Sequence, residues 1–373
     1  MFFIVILIEI LYEKGPTIMI ELLKDLIRIK SDDVEGANAA LLFCRNWFEA
    51  RGIATTVYEN NSKLMLVAEI GIGEECIIWN GHVDVVPGNA EQFNPLVEGD
   101  RLYGRGSADM KAGVAAMMQA FYELSLTPQK LTKRIQLHIV TDEETDGDTS
   151  KYLVDQGFNG DFIICGEPTH LHIGLQAKGI IQLDVKLKGK SSHGSRPWEG
   201  VNAIEQAFAF DKEMRKLSFL SASNKFYDYP SINLAKIHAG DRYNVVPDEC
   251  VMSYDIRFVP GQNDQEILAS IKNAAHMDFP GSEVIVHACE PAVTTEESNL
   301  YVLKLQQVTS NMTNSITNLF GQHGSADTRF YAKNGAGAIE FGPSGADWHG
   351  EKEYVSISSV EKYKNILVSF IID

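Results

Sequence analysis

The spacing of apolar residues changes several times along the chain, and each change predicts an element. Over residues 20–29, Leu22, Leu23, Leu26 and Ile27 recur at helical intervals, and residues 39–50 repeat the pattern through Leu41, Leu42, Trp47 and Phe48 until Gly52 stops it. Residues 63–70, 76–79 and 134–140 are short apolar runs bounded by Gly, Pro or charge and predict strands, while 112–124 is a helix of small residues between the last two. Strands alternating with helices predict an α/β sheet buried on both faces.

Between residues 180 and 288 the rhythm is different. Residues 180–187 alternate, 201–217 are helical, 232–237 and 251–259 are strand-like, 265–276 are helical and 284–287 form a strand. The order βαββαβ predicts a ferredoxin-like unit, one antiparallel sheet with two helices on one face. It interrupts the first pattern, which resumes after Pro291 with a helix over 299–308, short strands and a closing helix over 360–371. The expected organisation is one domain of residues 1–178 and 290–373 with a second, 179–289, inserted into it.

The 373 residues carry 33 Lys and Arg against 50 Asp and Glu, a net charge of −17 spread along the chain. That sign repels phosphate backbones and anionic headgroups, which argues against nucleic acid or a membrane as the main partner. Five widely spaced cysteines without a C-x-x-C pair are a poor disulfide framework and point to a cytoplasmic protein. The apolar run from Phe2 to Leu11 contains Glu9, lacks a basic residue before it, and is short of the ~20 residues a membrane span needs. Met19 then begins the first helical pattern, which sets residues 1–18 apart as an extension.

The densest chemistry starts at Gly81-His82-Val83-Asp84-Val85-Val86-Pro87, directly after a strand. Ligands of open α/β sheets gather at the carboxyl ends of strands. His82 and Asp84 are two apart and point the same way on an extended strand end. The pair is either a metal-ligating imidazole with a carboxylate behind it or a loop histidine bonded to its aspartate. Gly104-Arg105-Gly106-Ser107-Ala108-Asp109-Met110-Lys111 opens the next helix. Its glycines suggest a dinucleotide loop, but Asp109 stands where the third glycine belongs and would repel a pyrophosphate, so Asp109 is a helix cap or a ligand. Thr141-Asp142-Glu143-Glu144 follows the strand over 134–140; adjacent residues there face different ways, so one can ligate while the next works on a water, unless the segment is simply a solvated acidic loop. Ile163-Ile164-Cys165-Gly166-Glu167-Pro168 is a further strand ending in an acid, and Trp348-His349-Gly350-Glu351 brings a second histidine. Two histidines and several carboxylates after strands form an N/O set suited to Zn²⁺, Co²⁺ or Mn²⁺, in which a carboxylate can bridge two ions.

In order and spacing, these five segments resemble the landmarks of the M20 family of metallohydrolases, from about residue 22 to the end. The resemblance implies an α/β dinuclear-zinc exopeptidase-like catalytic domain, a mixed sheet covered by helices, with the inserted ferredoxin-like βαββαβ unit as lid and dimerisation domain of a homodimer. It implies two Zn²⁺ per subunit, Co²⁺ or Mn²⁺ being alternatives: His82, Asp109 and Glu167 on one, and Asp109, Glu144 and His349 on the other. By the same resemblance Asp84 is the partner of His82, Glu143 the general base, and the Asp109-Met110 bond cis. Ser191-Ser192-His193-Gly194-Ser195-Arg196-Pro197 is similar to the family's lid motif, whose histidine crosses the dimer to hold the developing oxyanion; as residues alone, His193 reads more plainly as an exposed loop histidine. Asn244 and Arg257 match lid positions that face substrate, although an ion pair is the plainer reading of Arg257. Lys178 is grouped with them, and Gly324 and Ser325 resemble a small-residue loop lining the site. Ala112 and His323 stand where the family usually or often has glycine.

The implied reaction is hydrolysis of a linear amide in a small-molecule substrate. Glu167, where other branches carry Asp, goes with deacylases and carboxypeptidases, which favours an N-acyl amino acid: N-succinyl-diaminopimelate first, N-acetylornithine second. A metallo-dipeptidase or carboxypeptidase of the same family, and a non-catalytic dimeric binding module, are the competing expectations.

Overall fold

The computed structural model describes residues 18–333 and 335–372; the apolar run near the amino terminus lies outside them. The chain divides into two compact units, one of described residues 18–175, 295–320 and 326–372, the other of Gln176–Thr294 and Gly321–Ser325. Among the described residues no helix is long and apolar enough to cross a membrane, and no disulfide links the cysteines.

In the first unit, a helix over residues 18–28 buries Met19, Leu22, Leu23, Leu26 and Ile27. Its final carbonyls are satisfied from outside: the buried Lys111 Nζ donates to Leu26 O at 2.9 Å and Ile29 O at 3.0 Å, filling the deficit every helix carboxyl end carries. Burial pushes the Lys111 ammonium down to about 7.

The strand Cys76–His82 is buried at every position. It lies within a mixed sheet ordered Thr55–Asn60, Lys63–Ile70, Arg134–Val140, Cys76–His82, Phe162–Cys165, Gly337–Glu340, Ile173–Ala177. The strands from Arg134–Val140 through Gly337–Glu340 run parallel, so their carboxyl ends share one edge, while the flanking strands are antiparallel. Continuous apolar runs are what strands covered on both faces require. Ile78 and Ile163 pack with Val154 of helix Asp148–Asp155 and with Phe330 and Tyr331 of helix Thr328–Ala332. On the opposite face, Gly81 and Gly166 meet helix Lys111–Ser125, and Gly166 also meets Tyr363 of the closing helix Ile357–Ile372.

Two parts of this unit escape the apolar pattern. Thr55–Asn60 is a half-buried edge strand with no run of its own, joined to Lys63–Ile70 through Asn61 and Ser62, both at positive φ. A small sheet of Gly345–Ala346, Tyr354–Ser356, Arg101–Tyr103 and Leu96–Glu98 is built from strands too short to show a period.

The second unit contains a sheet ordered Ser231–Ala239, Glu249–Phe258, Gly179–Lys188, Glu283–Glu290, antiparallel throughout. Helices Ala203–Met214 and Asp264–Asp278 share one core with the inward residues of these strands, giving the βαββαβ order. As a compact unit it takes in Gln176–Thr294 and Gly321–Ser325, a few residues more than 179–289. Val293 and Thr294 pair with Ala177 and Gln176, the Lys178 amide donates to Gln322 O at 3.4 Å, and the Tyr227 hydroxyl donates to the same oxygen at 2.8 Å.

Gly113 rather than position 112 is the close-approach residue of helix Lys111–Ser125. A Cβ there would stand 2.2 Å from the Gly166 carbonyl oxygen, whereas Ala112 is simply buried. Gly113→Ala should therefore destabilise the protein by about 1–3 kcal/mol through overpacking, measured by urea unfolding; an unchanged midpoint would contradict this packing.

Candidate active site

Three of the sequence-predicted acids and one histidine follow from the parallel strand ends. His82 closes Cys76–His82 opposite Val140; Glu143 and Glu144 follow Arg134–Val140; Glu167 follows Phe162–Cys165. Asp109 comes from the turn before helix Lys111–Ser125, and the Asp109–Met110 peptide is cis. His349 enters from the carboxyl-terminal loop at φ +64.

The structure brings these side chains together around Asp109. His82 Nε2 is 3.3 Å from Asp109 Oδ1, while His349 Nε2 is 3.2 Å from Asp109 Oδ2 and 3.2 Å from Glu144 Oε2. Glu143 Oε2 and Glu167 Oε1 each lie 3.9 Å from His82 Nε2. The two oxygens of Asp109 thus face different histidines, the arrangement a bridging carboxylate needs. His82 Nδ1 donates to the backbone carbonyl of Asp84 at 3.0 Å, closer than the Asp84 carboxylate at 3.4 Å, and that carboxylate accepts from the Glu144 amide at 3.0 Å. Asp84 therefore fixes the ring through both backbone and side chain, leaving the Nε2 lone pair aimed at the acids.

The electrostatics are adverse without a cation. Burial drives the Glu143 and Glu167 carboxyls well above their usual range, with Asp109 adding to both and Asp327 to Glu143. For His82, burial opposes the charge but hydrogen bonds to Asp109 and Asp84 outweigh it and raise its pKa. His349 is pushed up to about 10 by its bonds to Asp109 and Glu144. Asp109 is itself lowered: burial resists, and the two imidazoles prevail.

The donor set fits divalent metal ions. His82, Asp109 and Glu144 each offer an atom within 4.8 Å of the others', and Glu144 Oε1 is buried without a hydrogen-bond partner among the described residues. Around a tetrahedral ion with bonds of about 2.0–2.2 Å, neighbouring donors stand roughly 3.3–3.6 Å apart. The 3.2 and 3.3 Å contacts between imidazole and carboxylate are close to that spacing.

Several positioning groups carry no motif signal of their own. Glu353 grips the Asp109 turn from beneath, and Asp142 organises the acidic loop by accepting from Thr149 N at 3.1 Å and Asp148 N at 3.0 Å and pairing with Lys63 at 2.8 Å. Arg329 Nη1 sits 3.9 Å from Glu143 Oε1. Asp142 belongs to the acidic segment Thr141–Glu144, but a side chain turned back into its own loop resembles any other acid in a sequence.

The remaining predicted residues belong to the second unit. The Gly194 amide donates to Asn244 O at 2.8 Å, which places the His193 and Asn244 loops side by side. His193 Nδ1 accepts from the Ser195 amide at 3.2 Å, so its proton resides on Nε2. Arg257 forks onto Asp255 at 2.7 and 3.1 Å, the ion pair that was the plainer reading. Lys178 Nζ donates to Tyr229 O at 2.9 Å above the Tyr227 ring. Gly324 has open space around its α-carbon, and His323 packs edge-on against Tyr227.

A histidine–carboxylate cluster across the ends of parallel strands defines the metallohydrolase class. Residues 78–373 match the peptidase family M20/M25/M40, and the chain belongs to that family of amide hydrolases. It is 28% identical over 375 residues, covering 95% of this chain and 97% of the relative, to a protein of Gluconobacter oxydans (strain 621H) named succinyl-diaminopimelate desuccinylase. Aminopeptidase PepT of Bacillus cereus has a similar structure, with TM-score 0.79 at 18% identity over 95% of this chain and 97% of that one. So does a dinuclear metal-binding M20 peptidase of Bacillus subtilis, with TM-score 0.74 at 15% identity over 96% and 98%. At such identities the solved structures establish the shared α/β fold.

Binding to the native state alone raises stability by about 2.7 kcal/mol at a hundredfold excess over Kd. Zn²⁺ added to metal-stripped protein should accordingly raise its melting temperature, and Asp109→Ala should erase the gain; an equal shift in that variant would place the ions elsewhere.

Proposed function

We propose that this protein removes an N-acyl group from an amino acid, with N-succinyl-LL-diaminopimelate as substrate and succinate and LL-diaminopimelate as products. The observation that carries the reaction class is a further, mostly buried carboxylate, Glu143, beside the histidine–carboxylate cluster, 3.9 Å from His82 Nε2 and 3.9 Å from Arg329 Nη1, in addition to the five residues that would hold the ions. A binding scaffold has no use for a base there. The choice of acyl group is supported by the 28% identical relative, aligned over almost the full length of both chains, and by glutamate rather than aspartate at position 167.

His82, Asp109 and Glu167 would hold one divalent ion, and Asp109, Glu144 and His349 the second; zinc is the preferred metal, with Co²⁺ or Mn²⁺ as alternatives. Such ions polarise the scissile carbonyl and acidify water. Glu143 receives the proton of the attacking water on a carboxylate oxygen and passes it to the departing amine nitrogen, work for which a raised pKa suits it. His193 donates from Nε2 to the developing oxyanion in the site of a second copy of the chain, the second unit serving as lid and dimer contact. Asn244, Lys178, Gly324 and Ser325 line the substrate in this reading, and Arg257 joins them by exchanging Asp255 for a substrate carboxylate. The cytoplasm, with its reduced thiols, is the compartment.

Purified protein loaded with zinc should cleave N-succinyl-diaminopimelate faster than N-acetylornithine or Gly-Leu; turnover of the dipeptide alone would replace the deacylase reading with a peptidase. Glu143→Gln should keep both ions and lose at least about 10²–10⁴-fold in rate, and near-normal rates would refute its role. Mixed dimers of His193→Ala and Glu143→Gln subunits should regain activity at one site in each hybrid; none recovered would contradict the cross-subunit placement.

A further inference from the structure

We propose that Glu353 and Arg105 form a buried latch that holds the Asp109 turn against the His349 loop and thereby sets the affinity for the ion on the His349 side. The proposal rests on the metal assignment above and makes both groups positioning residues.

The Glu353 side chain is wholly inaccessible to solvent. Its Oε1 accepts from the amides of Ala108 at 2.9 Å and Asp109 at 3.1 Å, and its Oε2 from the Gly106 amide at 2.9 Å and Arg105 Nη1 at 2.8 Å. Successive backbone amides curled around a carboxylate form an anion-holding concavity, and here the anion comes from the chain itself, just beyond His349. Gly106, at φ +77 with room for no Cβ beside Val85, makes the curl tight enough. Arg105 completes the link: Nη2 donates to the carbonyls of His349 at 3.3 Å and Pro87 at 3.4 Å. Gln92 Nε2 ties down Gly350 O at 3.0 Å.

The two sides of the cluster differ in what supports them. His82 and Glu167 extend from buried parallel strands paired residue by residue. His349 is 52% exposed, sits on a loop, and together with Asp347 adopts a positive φ that surrounding contacts must maintain. Its 3.2 Å approach to Asp109 Oδ2 therefore depends on the grip that one carboxylate and one guanidinium exert on both backbones.

Calorimetry of Zn²⁺ binding to the full-length, metal-stripped protein tests this. Wild type should bind two ions. Glu353→Gln keeps the side chain's size but turns an NH₂ toward donors; it should weaken, ten- to hundredfold, the ion that His349→Ala also weakens, while the other changes by less than about threefold. Co²⁺ at the second equivalent should show an altered visible spectrum. Phe370→Leu, a core change in the closing helix used to match the loss of thermal stability, should leave both affinities as in wild type, separating positioning from general weakening. If Glu353→Gln does not fold, Arg105→Lys, which keeps the charge and loses the fork, should give the same selective loss. Either folded variant binding both ions like wild type, or losing both equally, overturns the latch. Wild type binding no ion overturns the metal assignment itself.

Discussion

Mutual repulsion among carboxylates is the constraint on which this structure turns. Asp109, Glu143, Glu144 and Glu167 are held close together with two imidazoles among them, in a space where burial penalises the charge of Glu143 and Glu167. Left alone, Glu143 and Glu167 would part from the rest or take up protons. All four stay because each is anchored by an element that cannot move independently: three by the ends of strands locked in parallel register, and Asp109 by a turn whose amides are already spent on Glu353. The fold thus supplies the geometry, and cations between the acids would supply the missing charge.

Beneath the cluster lies a polar layer with the same purpose. Asn80, two residues before His82, donates to Ser150 Oγ at 3.1 Å and accepts from the Cys165 thiol at 3.1 Å, two residues before Glu167. Ser150 in turn donates to Asp327 at 2.6 Å. His138 bonds Tyr331 at 2.8 Å and Gln136 at 3.0 Å, and burial lowers it to about 3, so it stays neutral. Such buried polar networks favour one arrangement over many. They tie adjacent strands together directly below the residues they present.

The site was legible in the sequence because its chemistry sits at chain positions with a local signature. An acid or histidine directly after a buried apolar run is conspicuous, which is how His82, the Thr141–Glu144 segment and Glu167 stand out, whereas the division of roles between Glu143 and Glu144 came only from the family resemblance. The βαββαβ order of the second unit was equally plain, since Glu249–Phe258 alternates its burial without interruption. What was hidden has no local signature. Glu353 is one more acid in an acidic loop until its four donors, all from residues 105–109, fold around it. The pairing of Arg257 with Asp255 and the close approach at Gly113 are likewise long-range or rotameric facts.

Anomalous diffraction from crystals of the zinc-loaded protein, recorded above and below the zinc edge, tests the central claim most directly. Two peaks per chain should flank the Asp109 carboxylate, one contacting His82 and Glu167 and the other Glu144 and His349. A single peak, or peaks away from Asp109, would contradict the account.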